Sequence, residues 1–447
     1  MPDRYYEIEG GKPLRGGVRV SGAKNAATKQ IVASLLTNEP VVLHNVPRIG
    51  DTAVTLDLCS TVGMRYEWDA ARPGVVTLQT PSIDTHELPL SFSGLNRIPI
   101  LLLGPLLHRY GQAIVPMLGG DAIGRRPVDF HVKALQALGA EITFEQGRYH
   151  ACADRLQGAV IDLPYPSVGA TENALFAAVL AEGTTLIRNA AVEPEVIDQV
   201  MLLQKMGAII FVDTDRTLVV EGVERLHGAE HTVINDRNEA ASFAIAGIIT
   251  GGDVLVEGAE QANMLTFLNK LRQVGAGFEF VPDGIRFFHP DRPLSPIALE
   301  TDVHPGFMTD WQQPFVMLMT QADGLSVVHE TVYERRFGYT ETLVQMGAEI
   351  QLFRQCLGEK PCRFKSRDFP HSCIIKGPTP LHAADVTIPD LRAGFSYLIA
   401  AAVADGVSRI HGVQYVERGY SQILEKFQGL GANIELRGDA YSNLQIR

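Results

Sequence analysis

The chain has 447 residues, 46% hydrophobic and 20% charged, with 39 Lys plus Arg against 51 Asp plus Glu for a net charge of −12. That length exceeds what one hydrophobic core usually supports, and the composition is that of ordinary soluble α/β material in two domains. The acidic surplus argues against a nucleic-acid or anionic-membrane partner, although a local arginine cluster still allows a small anionic substrate.

Taken in chain order, the opening "MPDRYYEIEGGKPLRGG" lacks a basic stretch followed by an apolar one, so no signal peptide is expected. No apolar run approaches the ~20 residues of a membrane helix. Five scattered cysteines, an odd number, fit a reducing cytoplasm better than a disulfide framework. "VSGAKNAATKQIVASLL" reads as a strand end, a small-residue turn and a helix. An amphipathic helix is expected over Thr28 to Thr37, with Ile31, Val32, Leu35 and Leu36 on one face. Lys24 beside a helix N-terminus suits an anion, but a solvated lysine at an ordinary cap fits equally well.

"PMLGGDAIGRRPVDFH" follows, with Asp121 alone among three glycines and Arg125, Arg126 and Asp129 at the next helix start. Pro127 suits a first helical turn, and an arginine fork binds phosphate or carboxylate in bidentate fashion. A surface salt-bridge cluster would look the same. In "HPGFMTDWQQPF", Asp310 stands after a Pro-Gly turn, where capping the helix is sufficient explanation on its own. Asp390 and Arg392 open a long apolar helix, and Arg418 is expected at the start of another. Charge thus gathers at helix starts in both halves, as two lobes lining an anion-filled cleft would require. Cys356, Cys362, His371 and Cys373 have spacings without the short pairs of structural zinc, so the segment reads as an inserted loop and no metal is expected. Neither a P-loop nor a dinucleotide fingerprint is present.

One phrase recurs through all of this: a helix, Leu-x-x-hydrophobic-Gly-Ala, then an alternating strand. It reads "CSTVGMRYE", "LQALGAEITFE", "LQKMGAIIFV", "LRQVGAGFEF", "LVQMGAEIQL" and "FQGLGANIEL". The marker glycines Gly63, Gly139, Gly207, Gly275, Gly347 and Gly431 are 76, 68, 68, 72 and 84 residues apart. Glycine there supplies a left-handed helix cap. Six β-α-β units, three to a lobe, are expected, with a boundary near "INDRNEAASF".

Six such units carrying "SGAKNA", "GGxxIGxRPVD", "SVGAT", "EPEVID", "GFMTD", "ETVYERRF", "DLRA" and "RGY" in this order resemble the enolpyruvyl transferases that act on UDP-N-acetylglucosamine. The resemblance covers essentially the whole chain. It implies a two-domain inverted α/β barrel, with residues 24–236 as one lobe and 1–23 plus 237–447 as the other, and a mobile catalytic loop near 116–126. It also implies transfer of the enolpyruvyl group of phosphoenolpyruvate to the sugar 3′-hydroxyl with release of phosphate, the first committed step of peptidoglycan synthesis. No metal or organic cofactor, no nucleic acid and no membrane is implied, and a cytoplasmic monomer or weak homo-oligomer is expected. By position, Lys24 and Asn25 hold phosphoenolpyruvate, helped by Arg126, Arg392 and Arg418. Arg97, the run Arg126, Pro127, Val128, Asp129 and Phe130, and Ser167, Val168 and Gly169 contact the nucleotide sugar. Asp310 is the base near the 3′-hydroxyl, Val332 lies beside the sugar, and Arg336 and Asp390 support the closed cleft. Asp121 is the acid.

This chain departs from the family's pattern in four places. Asp121 stands where most members carry cysteine, which removes the soft nucleophile from the loop. Gly50 replaces a basic residue, with Arg48 as the candidate substitute. Tyr165 and Pro166 stand where a lysine-containing pair often precedes "SVGA". The loop from about Leu352 to Cys373 is long. Two other readings follow from these departures: a paralogue using another nucleotide or sugar acceptor, and a non-catalytic nucleotide-sugar sensor. Retention of Lys24, Asp310, Arg392 and Arg418 together argues against the sensor.

Overall fold

The computed structural model describes residues 4–120, 123–124, 127–360, 364 and 369–438. These group into two compact units. The first holds the described residues of 1–21, 122–125 and 235–447, the second those of 22–121 and 126–234.

Each unit contains three small sheets, and five of the six sheets share one plan. A short outer strand runs parallel to the second strand, which pairs antiparallel with a third, and a fourth closes the hairpin. Val160–Asp162, Thr184–Arg188, Leu218–Glu221 and Ile209–Val212 show it in the second unit. The sixth sheet, Gln112–Pro116, Arg148–Cys152 and Glu141–Glu145, has only a parallel bridge from Glu87 to Ile114 in the outer position. At the two crossings the pattern is exchanged. Arg15–Arg19 pairs with Asp253–Glu257 in the first unit, and Glu230–Thr232 pairs with Val41–His44 in the second. Strand Tyr5–Glu9 pairs with both Val407–His411 and Asn433–Arg437, so the N-terminus is built into the first unit.

The parallel strands of a unit are joined through helices that are buried nearly all round. In the first unit every residue of Arg237–Ile249 and of Gln312–Met319 is buried, and so is almost all of Leu391–Val403. A helix apolar around its whole circumference belongs inside, so the sheets must lie outside it. The expected amphipathic helix at residues 28–37 fails for this reason. The helix is Lys24–Ala33, followed by a 3₁₀ turn Ser34–Leu36, and it buries Ala26, Ala27, Thr28 and Gln30 as well as Ile31 and Val32. Small residues permit the close approach: a Cβ at Gly247 would lie 2.9 Å from Val254 Cγ2. The six marker glycines all have positive φ, from 82° to 110°, as the left-handed caps demanded. No helix among the described residues is long and apolar enough to cross a membrane.

Candidate active site

In the second unit, helix Lys24–Ala33 starts with no side-chain cap and no acid in its first turn, leaving its N-terminal dipole to Lys24's surroundings. Lys24 Nζ pairs at 2.7 Å with Asp51 in the first turn of helix Gly50–Ser60. Asn25 is half-buried, and its carbonyl accepts from Lys29 Nζ at 2.6 Å. Arg48, the candidate substitute at the Gly50 turn, is exposed with its guanidinium 4.5 Å from the centre of the Trp68 ring.

A second group forms where helices Asp129–Ala137 and Val168–Ala178 begin. Ser167 caps the latter, its Oγ accepting from the Ala170 N–H at 3.4 Å. Gly169 packs close to His131: a Cβ there would stand 3.1 Å from His131 Cε1, so the ring would have to shift by a few tenths of an ångström. His131 Nδ1 lies 3.3 Å from Asn173 Nδ2, and burial, then Arg97, push the imidazole pKa down to about 3. A neutral ring accepts from the Asn173 amide and carries its proton on Nε2. His131 thereby joins the Arg97, Phe130 and Gly169 motifs in one place. Pro127 and Asp129 are exposed, Val128, Phe130 and Val168 half-buried. Asp129 makes a long 3.9 Å pair with Lys133. Asp121 and Arg126 lie outside the described residues.

Glu172, on the helix that Ser167 caps, is fully buried with neither oxygen hydrogen-bonded among the described residues, and Lys29 Nζ is 4.0 Å away. Burial pushes its pKa up to about 7; Lys29 opposes this, and Glu193 and Glu195 add to it. A folded-state pKa above the ~4.3 of an exposed glutamate means the folded chain holds the proton more tightly. The resulting stability is present at low pH and is lost as pH rises through about 7. Glu172→Gln should therefore flatten the fall in Tm between about pH 4 and 7. Parallel wild-type and variant Tm profiles would refute that assignment.

In the first unit Asp310 lies in the 3₁₀ turn Thr309–Trp311, and it does not cap the helix that follows. Its Oδ1 accepts from Arg336 Nη2 at 2.7 Å; its Oδ2 accepts from Arg392 Nε at 3.2 Å and Nη2 at 3.1 Å. Both guanidiniums are buried. Burial alone would lower the pKa of Arg336, but Asp310, Asp390 and Glu330 outweigh it and the value is raised. Arg392 is likewise raised, burial being overcome by Tyr420, Asp310 and Asp236. Arg392 Nη1 also donates to Tyr420 Oη at 2.8 Å.

Asp390 is the cap of helix Leu391–Val403, accepting from the Arg392 and Ala393 N–H groups at 2.9 and 3.0 Å. Buried Glu330 organises the next segment. One oxygen accepts from the Val332 and Tyr333 N–H groups, the other from Thr309 Oγ1 and Gln312 Nε2. Val332 is thus fixed through its backbone. Ile123 belongs to this unit, and its carbonyl accepts from the Arg335 N–H at 3.0 Å. Arg418 corrects an expectation. It follows the short helix Val413–Glu417 rather than opening the next one, Ile423–Gly429, and a helix C-terminus favours a cation electrostatically.

A family model described as EPSP synthase (3-phosphoshikimate 1-carboxyvinyltransferase) matches residues 8–427. The UDP-N-acetylglucosamine 1-carboxyvinyltransferase of Protochlamydia amoebophila is 55% identical over 437 residues, 96% of this chain and 94% of that one. The protein of the same name from Chlamydia abortus is 50% identical, covering 96% and 97%. The chain belongs to the family of UDP-N-acetylglucosamine 1-carboxyvinyltransferases. The fold agrees: the crystal structure of the enolpyruvyl transferase NikO from Streptomyces tendae superposes with a TM-score of 0.86 at 25% identity, covering 98% of this chain and all of that one.

Cationic side chains stand in both units, Lys24 in one and Arg336, Arg392 and Arg418 in the other. Sequence reasoning missed Asp51, Glu330, Tyr420 and His131. Asp51 had a signal, an acid at a helix start beside the noted Gly50. Glu330 had none, since only the fold turns it towards four donors.

Proposed function

We infer that the chain transfers the enolpyruvyl group of phosphoenolpyruvate to the 3′-hydroxyl of UDP-N-acetylglucosamine, releasing phosphate, at the first committed step of peptidoglycan synthesis. The observation that carries this reading is the Asp310 carboxylate shared by Arg336 and Arg392, in a chain 55% identical to a relative of that name. Lys24, Asn25, Arg392, Arg418 and Arg126 hold phosphoenolpyruvate. Arg97, residues 126–130 and Ser167 to Gly169 hold the nucleotide sugar, and Val332 lies against the sugar.

Asp121 protonates the methylene carbon of phosphoenolpyruvate, which makes C2 electrophilic. The 3′-hydroxyl adds to C2 as Asp310 takes its proton. Loss of a proton from the new methyl group and departure of phosphate then restore the double bond. Convergent cations stabilise the charge on the tetrahedral phosphate ester throughout.

Phosphate release with UDP-N-acetylglucosamine, shikimate 3-phosphate and UMP as separate acceptors tests the assignment. Turnover with the amino sugar alone is expected. Turnover with another acceptor instead would keep the chemistry and overturn the substrate, and nucleotide-sugar binding without turnover on any acceptor would favour a sensor.

A further inference from the structure

The sheet Ala298–Glu300, Gly324–His329, Ser372–Gly377 and Glu349–Phe353 ends in a cluster outside the site described above. Register places Glu300 opposite His329, and His329 opposite Ser372. After Phe353 the chain turns over this strand end, bringing Cys356 to it, and it re-enters the sheet just after His371. One ring nitrogen of His329, one of His371 and Cys356 Sγ all lie within 4.8 Å of one another.

The second partners of the two imidazoles decide what the cluster can do. His329 Nδ1 is 3.2 Å from Glu300 Oε2, and His371 Nδ1 is 3.0 Å from the Phe369 carbonyl. Each Nδ1 therefore carries the proton, and each Nε2 presents a lone pair. A carboxylate or carbonyl behind a histidine is the arrangement that orients metal-ligating imidazoles. His371 Nε2 faces Cys356 Sγ at 3.3 Å, close to the ligand spacing around a tetrahedral ion with bonds of about 2.0–2.3 Å. The His329 side chain is 0% exposed, and its Nε2 has no hydrogen-bond partner among the described residues. A buried lone pair without a donor is costly unless something occupies it.

The support is built as well. The Glu359 and Lys360 N–H groups both donate to Glu300 at 2.9 Å, and Leu357 N–H donates to Ser372 Oγ at 3.1 Å. Gly358 packs so closely that a Cβ there would stand 2.2 Å from His329 Nδ1.

We propose that His329, Cys356 and His371 bind one zinc-class divalent cation that fastens the loop after Phe353 to the end of strand Gly324–His329. One thiolate and two imidazoles suit a borderline-soft ion, and the absence of an oxygen ligand in the set disfavours magnesium and calcium. Binding replaces the Cys356–His371 hydrogen bond, and the thiol proton passes to solvent. The fourth tetrahedral position is left to water. The ion would sit beside Glu330, whose N–H donates to the His371 carbonyl at 2.8 Å, so it would steady the segment that carries Val332 and Arg336. This proposal does not depend on the acceptor assigned above.

Titrating chelator-stripped full-length protein with Co²⁺ alone, followed by Zn²⁺ competition, tests it. One Co²⁺ per chain is expected, with a thiolate-to-metal charge-transfer band that zinc abolishes. Cys356→Ser should lose that band and bind zinc at least ~10-fold more weakly, while Cys152→Ser should behave as wild type. Zinc should also raise the Tm of wild type and not of Cys356→Ser. Since Cys356 is only half-buried, its serine variant is expected to fold, which circular dichroism verifies. No stoichiometric binding, or an unchanged band in Cys356→Ser, would overturn the proposal.

Discussion

Asp310→Asn is expected to lower turnover about 10²–10⁴-fold, the usual contribution of a positioned general base, while UDP-N-acetylglucosamine binding measured by calorimetry persists. The geometry gives the loss a particular form. A carboxylate held by two buried guanidiniums is a weak base, because each cation favours its ionised state. On the proposed reading, phosphoenolpyruvate offers Arg392 new anionic partners, and any loosening of its hold would raise the basicity of Asp310.

Asparagine keeps the size and one acceptor oxygen but cannot take the proton. It also weakens the hold on Arg336, at about 1.5–3 kcal/mol for a hydrogen bond to a charged group. Activity is therefore compared well below the variant's Tm. Turnover within threefold of wild type would remove Asp310 from the base role.

The repeat was legible because each copy needs the same left-handed residue after its outer helix, and glycine marks it in sequence. Charge at helix starts was legible for Lys24 and Asp390, where a local turn precedes the helix, and was misplaced for Arg418. What stayed hidden depends on contacts distant in sequence. Asp310 reads as a helix cap until Arg336 and Arg392 arrive from elements 26 and 82 residues away. Asp390 reads as a site residue from its place in a motif, and only the structure shows its carboxylate capping helix Leu391–Val403. The helix now seen at Lys24–Ala33 looked amphipathic because burial on every side is a property of the unit, not of any one segment. The Cys356–His371 stretch looked like a plain insertion because His329 comes from a strand before it.

Wild-type protein is expected to resist time-dependent inactivation by fosfomycin, and Asp121→Cys is expected to acquire it. Fosfomycin is an epoxide, and the resemblance to this family places a cysteine where Asp121 stands as its target. Ring opening needs a soft, strong nucleophile, which a thiolate is and a carboxylate is not. The acid role differs, since it needs only a proton held at working pH. Asp121→Cys should then retain measurable turnover, with the alkaline limb of its pH–rate profile moved upward, because a thiol in the same surroundings titrates above a carboxyl group. Peptide mapping reads both halves. Label at position 121 in the variant and none in wild type is the expected pair. Stoichiometric labelling of wild-type Asp121 would show a carboxylate nucleophilic enough to open the epoxide, and the acid would then have to be sought elsewhere.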